Sequence, residues 1–206
     1  MMNFNETIFY QIYALSFGSG DSKILGDSEQ VGDNPASNFC QRVKDWIPHI
    51  KAAGANAIYF NPIFQSDNHG YDTQDYYTLD RRLGTNTDFE ELCFTLHENG
   101  LAIMLDGVFN HTGRGFFAFR DLEEYREDSR FRNWYCNVDF QGNNSYDDGF
   151  SYETWGGHDL LPKLNLYDPE VRNYHFDTVR FWISEFDIDG IRLDAADVLE
   201  ESFMRD

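Results

Sequence analysis

The sequence predicts an α/β fold built on a parallel sheet. Apolar runs without alternation, typical of buried strands, recur along the chain, and segments with helical apolar spacing separate them. Strand then helix occurs three times before a fourth strand, an order that requires right-handed crossovers between parallel strands. Two architectures fit this order: a doubly wound sheet and the first half of a (β/α)8 barrel. No Gly-x-Gly-x-x-Gly turn follows the first strand, which disfavours a dinucleotide-binding sheet.

The first two strands flank one amphipathic helix. Residues 8–15 form an apolar, aromatic run that predicts a strand, and the Gly-, Ser- and Asp-rich residues 18–37 predict a long loop. Apolar residues at three- and four-residue spacing over 39–50 predict a helix that ends near Gly54. The short apolar run at residues 57–60, closed by Asn-Pro, predicts the second buried strand.

The next unit begins with a loop predicted over residues 63–86. Thr87-Asp-Phe-Glu90 matches a capping box, so we expect a second helix to begin there and to close at Gly100. Residues 101–108 then form a third apolar run without alternation, which predicts a buried strand.

A long excursion separates the third strand from the third helix. Residues 112–167 show no helical period, and their length favours an inserted subdomain over a plain connection. Asp168-Pro169-Glu170 supplies an N-cap, a proline for the first turn and an acidic residue near the positive end of the helix dipole. The fourth strand is predicted at residues 188–193.

Composition narrows the partners. With 36 acidic and 16 basic residues the formal net charge is −20, so we expect neither nucleic acid nor an anionic membrane surface to bind. No apolar stretch is long enough to span a bilayer, and the N-terminus lacks a signal-peptide pattern. The three cysteines have no metal-site spacing, which favours free thiols and a cytoplasmic protein. Many carboxylates and aromatic rings (17% of residues) suit a neutral, hydroxyl-rich ligand.

Polar residues cluster after three of the predicted strands, at residues 69–75, 106–111 and 192–197. Parallel strands bring their carboxyl ends to one edge, so these clusters predict a site there. In the last cluster, Arg192 and Asp194 lie two residues apart and point to the same face, where the guanidinium can hold the carboxylate ionised and aimed. This pair fits a nucleophile with its orienting cation; the alternative is an ordinary structural ion pair.

Four motifs, in order, resemble those of the α-amylase superfamily, glycoside hydrolase family 13. Asp106-Gly-Val-Phe-Asn110-His111 resembles the signature after the third barrel strand, and Gly190-Ile-Arg192-Leu-Asp194 the one after the fourth. His69-Gly-Tyr71-Asp-Thr-Gln-Asp-Tyr resembles the segment whose tyrosine stacks on the sugar at the cleavage site. Leu161-Pro-Lys-Leu-Asn165 resembles a motif near the end of the inserted B domain, in the form common among neopullulanases and cyclomaltodextrinases.

The resemblance implies a fold. The chain would be the N-terminal half of a TIM (β/α)8 barrel, strands one to four, with a B-domain-like excursion after strand three. Residues 1–111 would form the first part of the barrel, 112–167 the inserted subdomain, and 168–206 the third helix and fourth strand.

The resemblance also implies roles for individual residues. Asp194 would be the catalytic nucleophile that forms a covalent glycosyl-enzyme intermediate, with Arg192 beside it as a second catalytic residue. Tyr71 would stack on the sugar ring, and His111 would hydrogen-bond the sugar's hydroxyl groups. His69 belongs to the same substrate-binding set, and Asp106 would shape the site from behind.

No cofactor is required by the resemblance, and calcium is the one candidate ion. Classical amylases bind it through the asparagine that matches Asn110, which here is a candidate metal ligand or a turn residue. A backbone group just after the nucleophile, often within a Lys-His pair, also contributes; here that place holds Ala195-Ala-Asp-Val198. Loop aspartates of the excursion, Asp139, Asp147 and Asp148, offer further oxygen atoms.

The function implied is retaining hydrolysis of α-1,4-linked glucans such as maltodextrins and starch. The alternatives are glucan transfer by the same family, or a non-catalytic carbohydrate-binding or vestigial amylase-like fragment. The family's acid/base glutamate follows the fifth barrel strand, so we expect this chain to be catalytically incomplete. A half barrel would expose strand edges, and self-association through them is a further expectation.

Overall fold

A computed structural model describes residues 4–19 and 39–206. In chain order the strands are β1 (Phe9–Ile12), β2 (Ala57–Phe60), β3 (Phe64–Ser66), β4 (Thr73–Leu79), β5 (Ala102–Gly107) and β6 (Gly190–Leu193). The helices are α1 (Ala14–Ser19), α2 (Phe39–Ala52), α3 (Asn86–Glu98), α4 (Phe117–Tyr125), α5 (Pro169–Phe186) and α6 (Glu201–Arg205). Within this part of the chain, no helix combines the length and the apolar character that crossing a bilayer requires.

The sheet topology decides between the two predicted architectures. The main sheet has the order β1-β2-β5-β6 and all its neighbours are parallel, so each new strand is added beside the one before it. A doubly wound sheet would reverse this order at a switch point, whereas a barrel continues it in one direction. The four strands therefore form a partial (β/α)8 barrel, as the resemblance implied.

Helices α2, α3 and α5 cover the sheet because each carries an apolar stripe. Phe60 of β2 lies between Phe39 of α2 and Phe89 of α3, with ring centroids 6.0 and 5.7 Å away. All three rings are fully buried, and burying one such ring contributes about 1.5–3 kcal/mol. The N-cap of α5 is as predicted: the Asp168 side chain accepts from the Glu170 amide, with Pro169 in the first turn. This packing fixes the helices behind the strands and leaves the carboxyl ends of the strands to the loops.

The first strand is shorter than predicted. β1 ends at Ile12, and the apolar residues that follow it open the short helix α1. Ala14 and Leu15 are buried in the core from this helix, so apolar residues there do not mean a continued strand. Of the loop predicted over residues 18–37, Gly18 and Ser19 close α1 and residues 20–37 lie outside the described residues.

The predicted loop at residues 63–86 was also wrong, because it contains the antiparallel hairpin of β3 and β4. Phe64 and Ser66 are buried while Gln65 is half-buried, which is the alternation of a strand. Directly after β4, the buried Asp80 carboxylate accepts from the Ser66 amide of β3 (3.2 Å) and from Arg82 Nε (2.7 Å). The buried residues of β4 (Thr73, Tyr76 and Leu79) are three apart, so β4 shows no strand alternation in the sequence.

Two helix predictions need correction. The capping box of α3 is formed by Thr85 and Asp88 rather than by Thr87 and Glu90, so the helix begins at Asn86. The excursion, predicted to lack helical period, contains α4, whose buried residues Ala118, Phe119 and Leu122 do follow helical spacing over barely two turns. The C-terminal end of α3 is as predicted, with Gly100 at φ +72°.

Candidate active site

An ion-pair chain joins β5 and β6 at their carboxyl ends. Asp106 and Arg192 are neighbours in the strand register, and Asp194 follows directly after β6. Arg192 Nη1 donates to Asp106 Oδ1 at 3.0 Å and to Asp194 Oδ1 at 2.6 Å. These charge-assisted bonds aim the Asp194 carboxylate and hold it between a cation and open space.

Asp106 is the buried centre of this arrangement. Its side chain is fully buried, and its second oxygen accepts from the Tyr59 hydroxyl (2.6 Å) and the Tyr71 hydroxyl (3.2 Å). Burial raises the pKa of Asp106, while hydrogen bonds from Tyr59 and Arg192 act in the opposite direction. Burial, with the nearby Asp106 charge, raises the pKa of Tyr71 to about 12, so its hydroxyl remains a proton donor.

The loop between β3 and β4 places His69 and Tyr71. Its turn needs glycine, because Gly70 has φ +94° and a Cβ atom there would lie 3.1 Å from the Pro62 carbonyl oxygen. The Tyr13 hydroxyl donates to the His69 carbonyl oxygen at 2.8 Å, and the Tyr71 amide donates to His69 Nδ1 at 3.2 Å. The backbone thus presents both rings to the same side.

His111, just after β5, is a buried neutral histidine. Its Nε2 lies 3.1 Å from the Tyr71 carbonyl oxygen, which can only accept, so Nε2 carries the proton. Its Nδ1 then accepts from the Asn110 side-chain amide at 3.2 Å. Burial lowers the pKa of His111 to about 4. His111 is only 1% exposed, and its bond to the Tyr71 backbone supports the tyrosine loop. The edge of its ring also forms part of the wall of the cleft described next.

These groups surround a cleft of about 400 Å³. The residues that line it are His69, Tyr71, His111, Trp155, His158, Leu160, Leu161 and Asp194. Asp194 is the one carboxylate among these lining residues, and its side chain is 15% exposed. The cleft therefore combines aromatic and aliphatic surface with a single oriented carboxylate.

The excursion closes back onto the strand end and supplies one wall of the cleft. The Thr112 amide donates to the Pro162 carbonyl oxygen at 3.1 Å, and the Leu164 amide donates to that of Asn110 at 2.9 Å. The predicted Leu161–Asn165 motif thus pairs with the segment that carries His111. Trp155 stands beside His111, with ring centroids 5.7 Å apart, and is 40% exposed.

Of the candidate calcium ligands, Asn110 has a side-chain oxygen atom that is unpaired within the described residues, while Asp147 and Asp148 are bonded to other residues. Asn110 Oδ1 is a buried oxygen with no hydrogen-bond partner among the described residues, which suits a ligand atom, but calcium takes six to eight oxygens. Asp148 instead pairs with Arg114 at 2.8 Å, and Asp147 accepts from Asn143. No group of three His, Cys, Asp or Glu that could hold a metal ion occurs in residues 4–19 and 39–206. The chemistry proposed below does not involve calcium.

All seven predicted site residues lie at one end of the sheet, and their roles stay predictions. Sequence reasoning missed the neighbours that orient them and the wall that faces them. Tyr59 sits within a strand assigned to the core, and its hydroxyl contact with Asp106 leaves no periodic signal. Trp155 lies in the excursion and is followed by Gly156 and Gly157. A tryptophan beside two glycines, which indicate a turn, was the signal in the sequence that could have found it. The missed residues are Gln11, Tyr59, Asn61, Trp155, His158 and Leu160.

Comparison with known proteins places this chain in a family. Residues 11–205 match the family described as alpha amylase, catalytic domain. The chain is 36% identical to neopullulanase 2 of Thermoactinomyces vulgaris over 211 residues, which cover 98% of this chain and 36% of the relative. It is 34% identical to the maltogenic alpha-amylase of Bacillus acidopullulyticus over 209 residues, covering 98% of this chain and 35% of the relative.

A solved structure agrees. The ligand-free cyclic alpha-maltosyl-(1→6)-maltose hydrolase of Arthrobacter globiformis superposes with a TM-score of 0.81 at 38% identity, covering 97% of this chain and 46% of that one. The chain thus spans about a third of the length of the curated relatives it matches. The family match over residues 11–205, together with relatives more than 30% identical over 98% of the chain, shows that the chain belongs to the α-amylase catalytic-domain family.

Proposed function

We propose that this chain carries the nucleophile and the sugar-binding wall of an active site that cleaves α-1,4-linked glucans with retention of configuration. The supporting observation is the Asp194 carboxylate, held by Arg192 at 2.6 Å and facing an aromatic-lined cleft. The names of the relatives, which refer to pullulan, cyclomaltodextrin and maltose-containing glucans, support an α-glucan substrate.

Five of the residues that line the cleft have a task in this proposal. A sugar presents C–H groups on its faces and hydroxyl groups at its edges, so the rings of Tyr71 and Trp155 would cover a face. His69 would bond hydroxyl groups at the edge through Nε2, while His111, whose two ring nitrogens are bonded within the protein, would hold the tyrosine loop in place. Asp194 Oδ2, the oxygen not bonded to Arg192, would attack the anomeric carbon and displace the leaving group, which gives a glycosyl ester on the aspartate.

The second carboxyl group of a retaining mechanism is not among the described residues that line the cleft. Such a group stands roughly 5–5.5 Å from the nucleophile and protonates the leaving oxygen. Asp106 is near enough but is fully buried and fully bonded, so it cannot reach a glycosidic oxygen. The acid/base carboxyl would therefore come from outside the described residues that line this cleft, and hydrolysis by the whole protein is part of the proposal.

A substrate whose leaving group needs no proton tests the nucleophile independently of the acid/base carboxyl. A 5-fluoro-α-glucosyl fluoride releases fluoride unaided, so the 206-residue chain should form a stable adduct at Asp194, seen as a mass increase and mapped to its peptide. Asp194→Asn should abolish the adduct, whereas Asp197→Asn, on the same loop but exposed, should keep it. Maltotriose should bind to both variants, as measured by calorimetry.

One observation favours a second candidate function. Because Asp194 is the one lining carboxylate, a non-catalytic glucan-binding protein would use the same cleft. Maltotriose binding without any adduct from the fluoride would establish that candidate and overturn the nucleophile. Adduct formation followed by turnover of maltotriose in the isolated chain would show that a second carboxyl lies within these residues.

The choice between hydrolysis and glucan transfer depends on the acceptor. We propose hydrolysis, and product analysis of the whole protein with maltotriose tests it, because products longer than maltotriose indicate transfer. We also propose that the protein acts in the cytoplasm, where the free thiols of Cys40, Cys93 and Cys136 are stable. Detection of the protein in the secreted fraction of its source cells would contradict that location.

A further inference from the structure

A second row of side chains stands behind the cleft and ends on Tyr71. Gln11 Nε2 donates to Asn61 Oδ1 at 2.8 Å, and Asn61 Nδ2 donates to the Tyr71 hydroxyl oxygen at 2.7 Å. The Tyr71 hydroxyl then donates to Asp106 Oδ2 at 3.2 Å. The row crosses the sheet from β1, past the end of β2, to β5.

The direction of every bond in this row is fixed by one carboxylate. Ionised Asp106 can only accept, so the single proton of Tyr71 must point to it. The Tyr71 oxygen then has only acceptor capacity left, and Asn61 must turn its NH₂ group toward it. Asn61 Oδ1 consequently faces Gln11, which must donate in turn. Reversing any one amide would put two acceptors face to face.

We infer that Gln11 and Asn61 are positioning residues that set the orientation of the Tyr71 ring in the cleft through a hydrogen-bond chain of fixed direction. Neither of them lines the cleft; they act through Tyr71. Gln11 is exposed on β1 while Asn61 is 7% exposed, so a change at the outer end is transmitted inward through a buried amide. This inference rests on the proposed function only in assigning Tyr71 to the sugar.

A charge introduced at the outer end tests the direction. In Gln11→Glu the new carboxylate can only accept, so Asn61 should turn its NH₂ group outward and leave its oxygen against Tyr71. The Tyr71 hydroxyl then has two acceptors for one proton. In chain labelled with ¹³Cζ-tyrosine, the Tyr71 resonance, assigned by its loss in Tyr71→Phe, should move at neutral pH. The exposed Gln141→Glu adds the same charge elsewhere and should leave that resonance in place.

The double variant separates a hydrogen-bond chain from a through-space charge effect. Asn61→Leu removes the middle link, so adding Gln11→Glu to it should produce no further movement of the Tyr71 resonance. A movement that persists in the Asn61→Leu background, or no movement in Gln11→Glu alone, overturns the inference. Gln11→Glu lies at an exposed position, so its result stands even where Asn61→Leu fails to fold.

Sugar binding gives a second readout. Gln11→Glu should raise the maltotriose dissociation constant of the 206-residue chain about two- to tenfold, the range for one hydrogen bond. Gln141→Glu should leave it unchanged. A wild-type chain that binds no maltotriose would contradict the proposed function, while the tyrosine resonances would still decide the hydrogen-bond chain. A moved resonance with unchanged affinity would overturn the role of this chain in positioning Tyr71 for sugar.

Discussion

Two histidines are buried in the neutral form, and we expect both to make the stability of the folded chain depend on pH. His111 has a pKa lowered to about 4 and His175 to about 3, in each case because burial disfavours the charged ring. His175 is packed against Tyr76 and Phe109, with ring centroids 5.3 and 4.9 Å away. Neither of its nitrogens has a hydrogen-bond partner among the described residues.

The pH dependence of stability follows from these shifts. An unfolded histidine takes up a proton near pH 6.5, whereas folded His175 stays neutral until about pH 3, so acid favours the unfolded chain. When the pH falls from 7 to 5, each buried histidine should lower the free energy of unfolding by about 2 kcal/mol. Urea unfolding of His175→Leu should therefore lose about 2 kcal/mol less over this interval than the wild type. An equal loss in both would be inconsistent with a neutral buried ring; His158→Leu, at an exposed position, is the control.

Residue chemistry explains which site residues were found from the sequence. Arg192 and Asp194 could be paired because two-residue spacing in a strand is a local rule. Gln11, Tyr59 and Asn61 could not be found in this way, because their partners are distant in the sequence. Gln11 bonds to Asn61 50 residues away, Tyr59 to Asp106 47 residues away, and Asn61 to Tyr71 10 residues away. Such contacts depend on strand register, which local patterns do not contain.

At the scale of elements, helix starts show how nearly equivalent signals compete. Both Thr85 and Thr87 precede an acidic residue at the capping-box distance. The backbone selects Thr85, which has extended φ/ψ angles and accepts from the Asp88 amide while Asp88 accepts from the Thr85 amide at 2.8 Å. Apolar periodicity predicts where α3 lies but fixes its first residue only to within two positions.

The cap can be tested with the two threonines as a matched pair. Thr85→Ala should lower the unfolding free energy by about 1 kcal/mol, since it leaves an amide of the first turn without its acceptor. Thr87→Ala, in the first turn and exposed, should leave stability unchanged or slightly raised, because alanine is the better helix former. Urea denaturation at pH 7 measures both. Equal losses would mean that the cap is not fixed at Thr85.

At the scale of the whole molecule, the sequence predicted the four parallel strands of the main sheet but missed the β3–β4 hairpin and could not choose the architecture. That choice depends on which side each new strand joins, and a strand's own residues do not specify its neighbours. The doubly wound alternative was removed by the order β1-β2-β5-β6, and the resemblance had already implied a barrel. The hairpin of β3 and β4 was missed because the buried residues of β4 (Thr73, Tyr76 and Leu79) are three apart and do not alternate as a strand pattern requires.

The two edge strands of the sheet lead to a prediction for the whole chain. Among the described strands, β1 pairs only with β2 and β6 only with β5, so these two lie at the edges of the sheet, the positions through which sheets associate. Self-association should therefore appear as a concentration-dependent shift in size-exclusion chromatography. Ile8→Lys, at an exposed apolar residue beside β1, should reduce the shift. A monomeric profile at all concentrations would contradict association through these edges.

The end of the excursion bonds back to Asn110 and Thr112 at its start. This arrangement keeps the cleft wall that the excursion carries structurally separate from the carboxylates at the strand ends. Residues 162–164, near the end of the excursion, bond to residues 110–112 at its start, so we expect that the segment between can be exchanged or resized without displacing Asp106, Arg192 or Asp194. The same segment carries Trp155, His158, Leu160 and Leu161 of the cleft. Under the proposed function, replacement of this one segment would change which glucan fits the cleft, while the proposed nucleophile Asp194 and the residues that hold it would evolve independently.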